Sequence, residues 1–304
     1  MTVTTNLAAC SQTVSANGPD GAVDPPSTLD DAIRYALSFI AQLRDTKAAL
    51  GANGDITALS ALASINGGPL AGFRNRIING NFANNQRGVS GTVTLAAGAY
   101  GHDRWKAGAG GATYTFAASG ADTIITVSAG SMIQTIEGAN VEGGGYTLSH
   151  AGNALARTAV NGTGLSGLYT AAPQATASAS GGQNISIEFA TGTISKVQLE
   201  FGTVVSQFER RSIGAEDLLC KRYFQLFRFD VGESYGAAAN NSSKCTALLA
   251  QMRAAPSTAE NFIGGSNVSA VAFSSTAGSL IATYTVASTG AWSRQATISL
   301  SAEL

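Results

Sequence analysis

From residue 112 onward the chain is cut into short runs that favour the extended state, often separated by glycine or asparagine. "ATYTFAA" (112–118), "DTIITVS" (122–128), "SMIQTIE" (131–137), "GYTLSH" (145–150) and "NISIEFA" (184–190) carry β-branched and aromatic residues at strand length. Ile185, Ile187 and Phe189 fall on one face of their strand, and Val197, Leu199 and Phe201 do the same in "KVQLEF". This pattern predicts an antiparallel β-sandwich or barrel with those faces packed inward, leaving Glu188, Gln198 and Glu200 on solvated outer faces.

Composition sharpens the expectation. The 304 residues suggest more than one compact unit, and only 12% of them are charged, about half the usual ~25%. A surface so poor in charge is reasonable where identical neighbours cover it, because isolated domains lean on net charge to stay apart. With a formal net charge of −1 and scattered Lys and Arg, nucleic acid is an unsuitable partner. No apolar run approaches the ~18 residues that span a bilayer, and "MTVTTNLAAC" lacks the features of a secretory signal. The expectation is synthesis in a cytoplasm without membrane insertion. Cys10, Cys220 and Cys245 have no CxxC spacing and only His102 and His150 accompany them, so neither a disulfide framework nor a metal site is predicted.

The N-terminal quarter reads differently. Residues 1–26, rich in Thr, Ser, Ala, Asn and Gly, predict an extended attachment arm that closes on "DPP". Ser27 and Asp30 resemble a capping box, and no helix breaker follows until Gly51. Leu29, Ile33, Ala36, Ile40, Leu43 and Leu50 recur at spacings of 4, 3, 4, 3 and 7, with Lys47 at the interrupted site. That is an a/d seam, and it fits either a coiled coil or a single amphipathic helix packed on its own domain. A weaker helical segment follows at 54–67.

The organisation predicted is therefore an arm (1–26), a helical stem or oligomerisation region (27–74), a β-sandwich (75–211), a helical connector (212–223) and a C-terminal β knob (224–304). The connector places Glu216 and Asp217 in its first turn and Lys221 and Arg222 in its last, the order that complements a helix dipole. In the knob, "FQLFRFDV", "CTALLAQM", "SAVAFSS", "SLIATYTV" and "SRQATISL" read as strands.

Several blocks occur in a telling order: "PPSTLDDAIRYALSFIAQLRD", "NRIINGNFANNQRG" (75–88), "YGHDRW" (100–105), "ISKVQLEFGTVVSQFERRSIGAEDLLCKRYFQ" and "MRAAPS". Together they resemble the tail-fibre and related tail proteins of tailed bacteriophages, over most of residues 25–257. The resemblance implies a mainly β virion component. It would be a homotrimeric fibre with an N-terminal attachment region, a jelly-roll sandwich similar to carbohydrate-binding modules, and a C-terminal β-sandwich knob. Its implied partners are other tail or baseplate proteins through the N-terminal region, and a bacterial surface polysaccharide or other receptor. No cofactor is implied.

The residues with chemistry are few. Asp103, Arg104 and Trp105 suit either a sugar platform or a core anchor beside a turn, the second being the commoner fate of Trp. Trp292, in "STGAWSRQ" at a loop or strand start, with Tyr284, Arg294 and Tyr235, is the preferred receptor-contact set, since loops on a rigid β scaffold collect binding residues; the alternative is a core aromatic of the knob. Asn79, Asn81 and Asp103 supply too few oxygens for Ca²⁺ without a DxDxDG-type loop. Glu188, Glu200 and Glu209 are the acids a glycan hydrolase would need as a pair, but the pattern favours no enzyme. Host adsorption by many weak contacts is the function expected. The alternatives are a purely structural collar, baseplate or decoration protein, and a polysaccharide depolymerase.

Overall fold

The computed structural model describes Ile33, Ala36, Ser38 and Ile40, and residues 72–304 except 162–164, 166, 177, 204, 237, 239 and 240; at 234–236 and 241–245 it describes the backbone. The chain divides into two compact units, Met1–Leu62 and Ala63–Leu304. In the first, the four described residues are helical, and Ile33 and Ile40 are 51% and 61% exposed. The arm, the seam positions Leu29 and Leu43, Leu50, and the 54–67 segment lie outside the described residues.

The second unit is mainly β and its strand pairings are antiparallel, an arrangement compatible with a β-sandwich. Its first part contains β1 (Val93–Leu95), β2 (Lys106–Ser119), β3 (Asp122–Ile136), β4 (Tyr146–Ala151), β5 (Ala156–Val160), β6 (Gln174–Ala175), β7 (Ile185–Phe189) and β8 (Gly192–Phe201). β3 organises them. β2 lies along one side, while β8 pairs with Ile125–Val127 and β7 with Met132–Ile136. β8 then leaves β3 to pair with β4, and β5 extends the sheet beyond β7.

The runs at 122–128 and 131–137, read as separate strands, are one. The Ala-Gly between them is absorbed by register shifts opposite β2, where Gly130 takes a φ of 71°. The core between the layers contains Trp105, Tyr114, Ile125, Met132, Leu148, Ile185, Ile187, Phe189, Val197 and Leu199. Phe201 departs from expectation at 47% exposed; it ends β8 and meets Tyr146 edge-on, with ring centroids 5.5 Å apart.

The segment 75–88 is not a ladder strand, although it begins alongside β8. Arg76 N donates to Leu199 O at 2.8 Å, Val197 N donates to Gly80 O at 2.8 Å, and Asn75 bonds both Val197 O and Leu199 N through its side chain. Gly80 is required by this approach, because a Cβ there would collide with Val197 O.

A connecting helix, α1 (Ile213–Lys221), lies within the expected connector, with Glu216 in its first turn and Lys221 in its last; Asp217 and Arg222 fall outside those turns, and the Ser212 side chain caps it by accepting from Ala215 N. Then follow β9 (Phe224–Gly236), β10 (Asn241–Leu248), β11 (Ser257–Ser266), β12 (Val268–Thr276), β13 (Ser279–Val286) and β14 (Gly290–Ser301). They form two three-stranded sheets, ordered β10-β13-β12 and β11-β14-β9. Phe229, Leu280, Ala282, Tyr284, Val286, Trp292, Ile298 and Leu300 belong to their common apolar core. Along β13 every second residue is buried, the period-2 rule in plain form.

Candidate functional site

The receptor-contact residues expected in the knob do not form an open site. Trp292 and Tyr284 are 3% and 1% exposed, with rings 5.3 Å apart. The cause is parity: Trp292 shares its face of β14 with Ala296, Ile298 and Leu300, and Tyr284 shares its face of β13 with Leu280 and Ala282. Arg294 points to the same side near the edge strand, where its Nε and Nη2 donate to Glu260 at 2.9 and 2.8 Å and its guanidinium lies 4.0 Å from the Phe262 ring. Phe262 is 51% exposed. Tyr235 lies in β9, and its side chain is outside the described residues.

The sequence blocks converge elsewhere, on the joint between the two β parts. Asp103, in "YGHDRW", accepts from Gln86 N at 2.7 Å and Arg87 Nη1 at 3.3 Å. Arg87 reaches on to Glu303 at 3.1 Å, and Arg104 bonds Glu303 as well as Thr135 O, the latter at 2.6 Å. The two guanidinium groups stack on Phe224 at 3.7 Å and Tyr223 at 3.6 Å. Tyr100 Oη and Lys106 Nζ both donate to Leu304 O, at 2.5 and 2.7 Å. Arg222 and the Tyr223 hydroxyl hold Glu137. Arg253, in "MRAAPS", donates to Ala302 O at 2.9 Å, and its N–H donates to Arg222 O at 2.8 Å.

Burial sets the electrostatics of this joint. It pushes the Asp103 carboxyl up, an effect the bonds from Gln86 and Arg87 oppose, and raises the Tyr100 phenol to about 12. Beside it, burial lowers His102 to about 4; its Nδ1 lies 3.1 Å from Tyr114 Oη and its ring meets Phe116 edge-on. Cys220, with Asn84 Nδ2 donating to its sulfur at 3.2 Å, is driven further from its thiolate by burial, which leaves it chemically quiet. Trp105 is a core anchor at 0% exposed, its indole N–H donating to Asn79 O at 3.0 Å.

The oxygens considered for Ca²⁺ are engaged by protein. Asn79 donates to Asn84 O and Asp103 O, and its own amide oxygen accepts from Asn84 N. Asn81 Oδ1 accepts from Ala83 N at 3.4 Å. Among the described residues no group of His, Cys, Asp and Glu is arranged to hold a metal.

The expectation of solvated outer carboxylates is corrected. Glu200 is 0% exposed because residues 205–209 fold over β8: Ser206 donates to it through N and Oγ, and Arg74 pairs with it at 3.2 Å. Gln198, beside it, bonds Glu209 N at 2.7 Å. Glu209 accepts from Phe73 N and Asn75 N, and borders a cleft of about 190 Å³ with Phe208, Arg210 and Arg211.

Glu188 is 3% exposed and sits in a cluster no sequence pattern announced. Ser131 Oγ donates to it at 2.5 Å, Arg157 Nε at 2.6 Å, and the Arg157 guanidinium lies 4.4 Å from the Tyr169 ring. The available signal was the alternation that sets Glu188 opposite to Ile187 and Phe189; the partners come from strands far apart in sequence. No family model, no curated protein and no solved structure matches the chain.

Proposed function

We propose that the protein is a non-enzymatic tail-fibre subunit of a tailed bacteriophage, a homotrimer that adsorbs to bacterial surface polysaccharide through many weak contacts. The observation that carries this reading is the pairing of two features. A helical segment leaves Ile33 and Ile40 open at heptad spacing, and downstream two antiparallel β parts are welded by a buried Arg/Glu joint. An apolar seam of that kind is satisfied by copies of itself. The β parts that follow it in sequence would, in three copies, supply the repeated surface that multivalent binding needs. The N-terminal region would attach to other tail or baseplate proteins, and the jelly-roll form of the sandwich and the knob-like role of residues 224–304 belong to the same reading.

A purely structural virion subunit is the second reading. It is favoured by the block residues Arg87, Asp103 and Arg104, whose charged groups pair with one another and with Glu303 inside the joint.

Light scattering of the full chain tests the fibre. The expected mass is near three times 30.7 kDa, falling toward one chain when Ile33→Asp and Ile40→Asp are combined, since charge in the seam is left unpaired. Saturable binding of the purified trimer to cells in a panel of bacterial strains is expected; a trimer that binds none supports the structural reading. A monomer in the unsubstituted chain overturns the fibre.

A further inference from the structure

Glu188 belongs to a row of side chains on the outer face of the β2-β3-β7-β5 sheet. Register sets Lys106 opposite Ile133, Ile133 opposite Glu188, and Glu188 opposite Arg157. The Ala156–Thr170 bridge adds Tyr169 beyond Arg157. With strands ~4.8 Å apart, the row crosses about 19 Å of sheet. Met132, Ile187 and Phe189, the chain neighbours of these residues, face the core instead.

The row is fixed before any ligand arrives. Glu188 holds Arg157 through Nε, and this bond is the largest influence raising the pKa of the guanidinium. Arg157 Nη1 donates to Gly167 O at 3.3 Å, and Tyr169 rests against the same guanidinium. Gly108 lets β2 approach the carboxylate, because a Cβ at that position would collide with Ser131 Oγ and come within 2.7 Å of Glu188 Oε1. Gly110, further along β2, leaves open space. Tyr169 lies over this cluster with its hydroxyl in reach of Glu188 and Ser131, so the row presents outward an aromatic ring and a guanidinium that are already held in place.

We propose that this row binds a neutral, hydroxyl-rich hexose segment of a surface polysaccharide; the proposal rests on the adsorption reading above. A guanidinium has five N–H donors; among the described residues those of Arg157 meet Glu188 and Gly167, and sugar hydroxyls would accept from others. Glu188 offsets the charge of Arg157, which makes the pair suited to hydroxyls and poor for capturing an anion. Tyr169 and the half-buried Ile133 supply apolar surface for the C–H faces of a pyranose ring.

The test applies the full chain to immobilised neutral hexose oligosaccharides and to uronic-acid oligosaccharides. Binding to at least one neutral oligosaccharide is expected, little changed between low and physiological salt, and weakened at least tenfold by Tyr169→Ala and by Arg157→Gln. Arg157→Gln strips a buried carboxylate of its partner and risks misfolding, whereas Tyr169→Ala leaves the ion pair in place and serves as the second variant. No binding, binding confined to the uronic-acid set, or undiminished binding by Tyr169→Ala overturns the proposal. Cell adsorption separates the two layers of inference: a trimer that adsorbs equally well with Tyr169→Ala keeps the fibre and loses this site, while a chain that neither trimerises nor adsorbs loses the fibre.

Discussion

The two β parts of the protein are stabilised by different means. In residues 75–211 the interior includes Asn75, Asn79, His102, Asp103, Arg104, Gln134, Glu188, Gln198 and Glu200, each below 5% exposure, alongside the apolar core. In residues 224–304, among the described residues, the buried polar side chains are Gln225 and, at the joint, Glu303, and the core is aliphatic and aromatic. A polar interior is specified by hydrogen-bond geometry, so it tolerates few substitutions. An apolar interior is specified by alternation and volume, so shape-conserving changes pass.

Substitution at the joint should have the largest effect. Arg104→Ala leaves Glu303 buried with only Arg87, and a loss of about 3–5 kcal/mol is expected from urea unfolding. Replacing both partners, Arg104→Met with Glu303→Leu, should restore part of it, since apolar groups carry no desolvation penalty. If the single and double variants are equally unstable, the ionic character of the joint is not what matters.

Next comes the apolar part. Ile298→Ala, at 0% exposure, should cost about 3 kcal/mol, while Ile298→Leu should stay under about 1.5 kcal/mol by the same unfolding measurement. Equal costs would mean that this interior is as exacting as the other.

Acid should separate the two parts further. Unfolded, His102 titrates at its ordinary 6.5; folded, burial lowers it to about 4. Protonation therefore favours the unfolded chain, and the contribution of the neutral ring is complete above 6.5 and lost as pH falls toward 4. Urea midpoints at pH 8 and pH 5 should differ by about 2 kcal/mol from this group. His102→Gln should flatten the difference. Asp103, whose carboxyl burial pushes up, acts in the opposite direction and should become visible in that variant.

The smallest effect concerns the connector. Ser212→Ala removes the cap at Ala215 N and should cost about 1 kcal/mol. A loss several times larger would show that α1 is part of the joint's stability and not only a link.

How much of this was legible in the sequence follows from the same contrast. Strand period placed Ile185, Ile187 and Phe189 correctly, and the charge order of Glu216 and Lys221 placed α1, though not its Ser212 cap. β11 went unread because "STAENFIGGS" does not alternate, and its register shifts between Phe262 and Gly264. The outer-face acids were misjudged for a different reason. Alternation says which way Glu200 points, but not that residues 205–209 return to cover it. Trp292 was read from its Ser-Thr-Gly prelude as standing at a loop or strand start; it does lie near the start of β14, but which way it points is decided by pairing with β9. Long-range partners such as Glu303 for Arg104 leave no local trace.

That last pair also bears on the order of events during synthesis. Arg104 and Glu303 are 199 residues apart, so at elongation rates of ~5–20 residues per second roughly 10–40 s separate their emergence from the ribosome. Throughout that interval the earlier β part carries an arginine fork awaiting its carboxylate. The nascent chain thus has that interval in which to pair wrongly, with its own kind or with a chaperone, at a surface that later becomes buried.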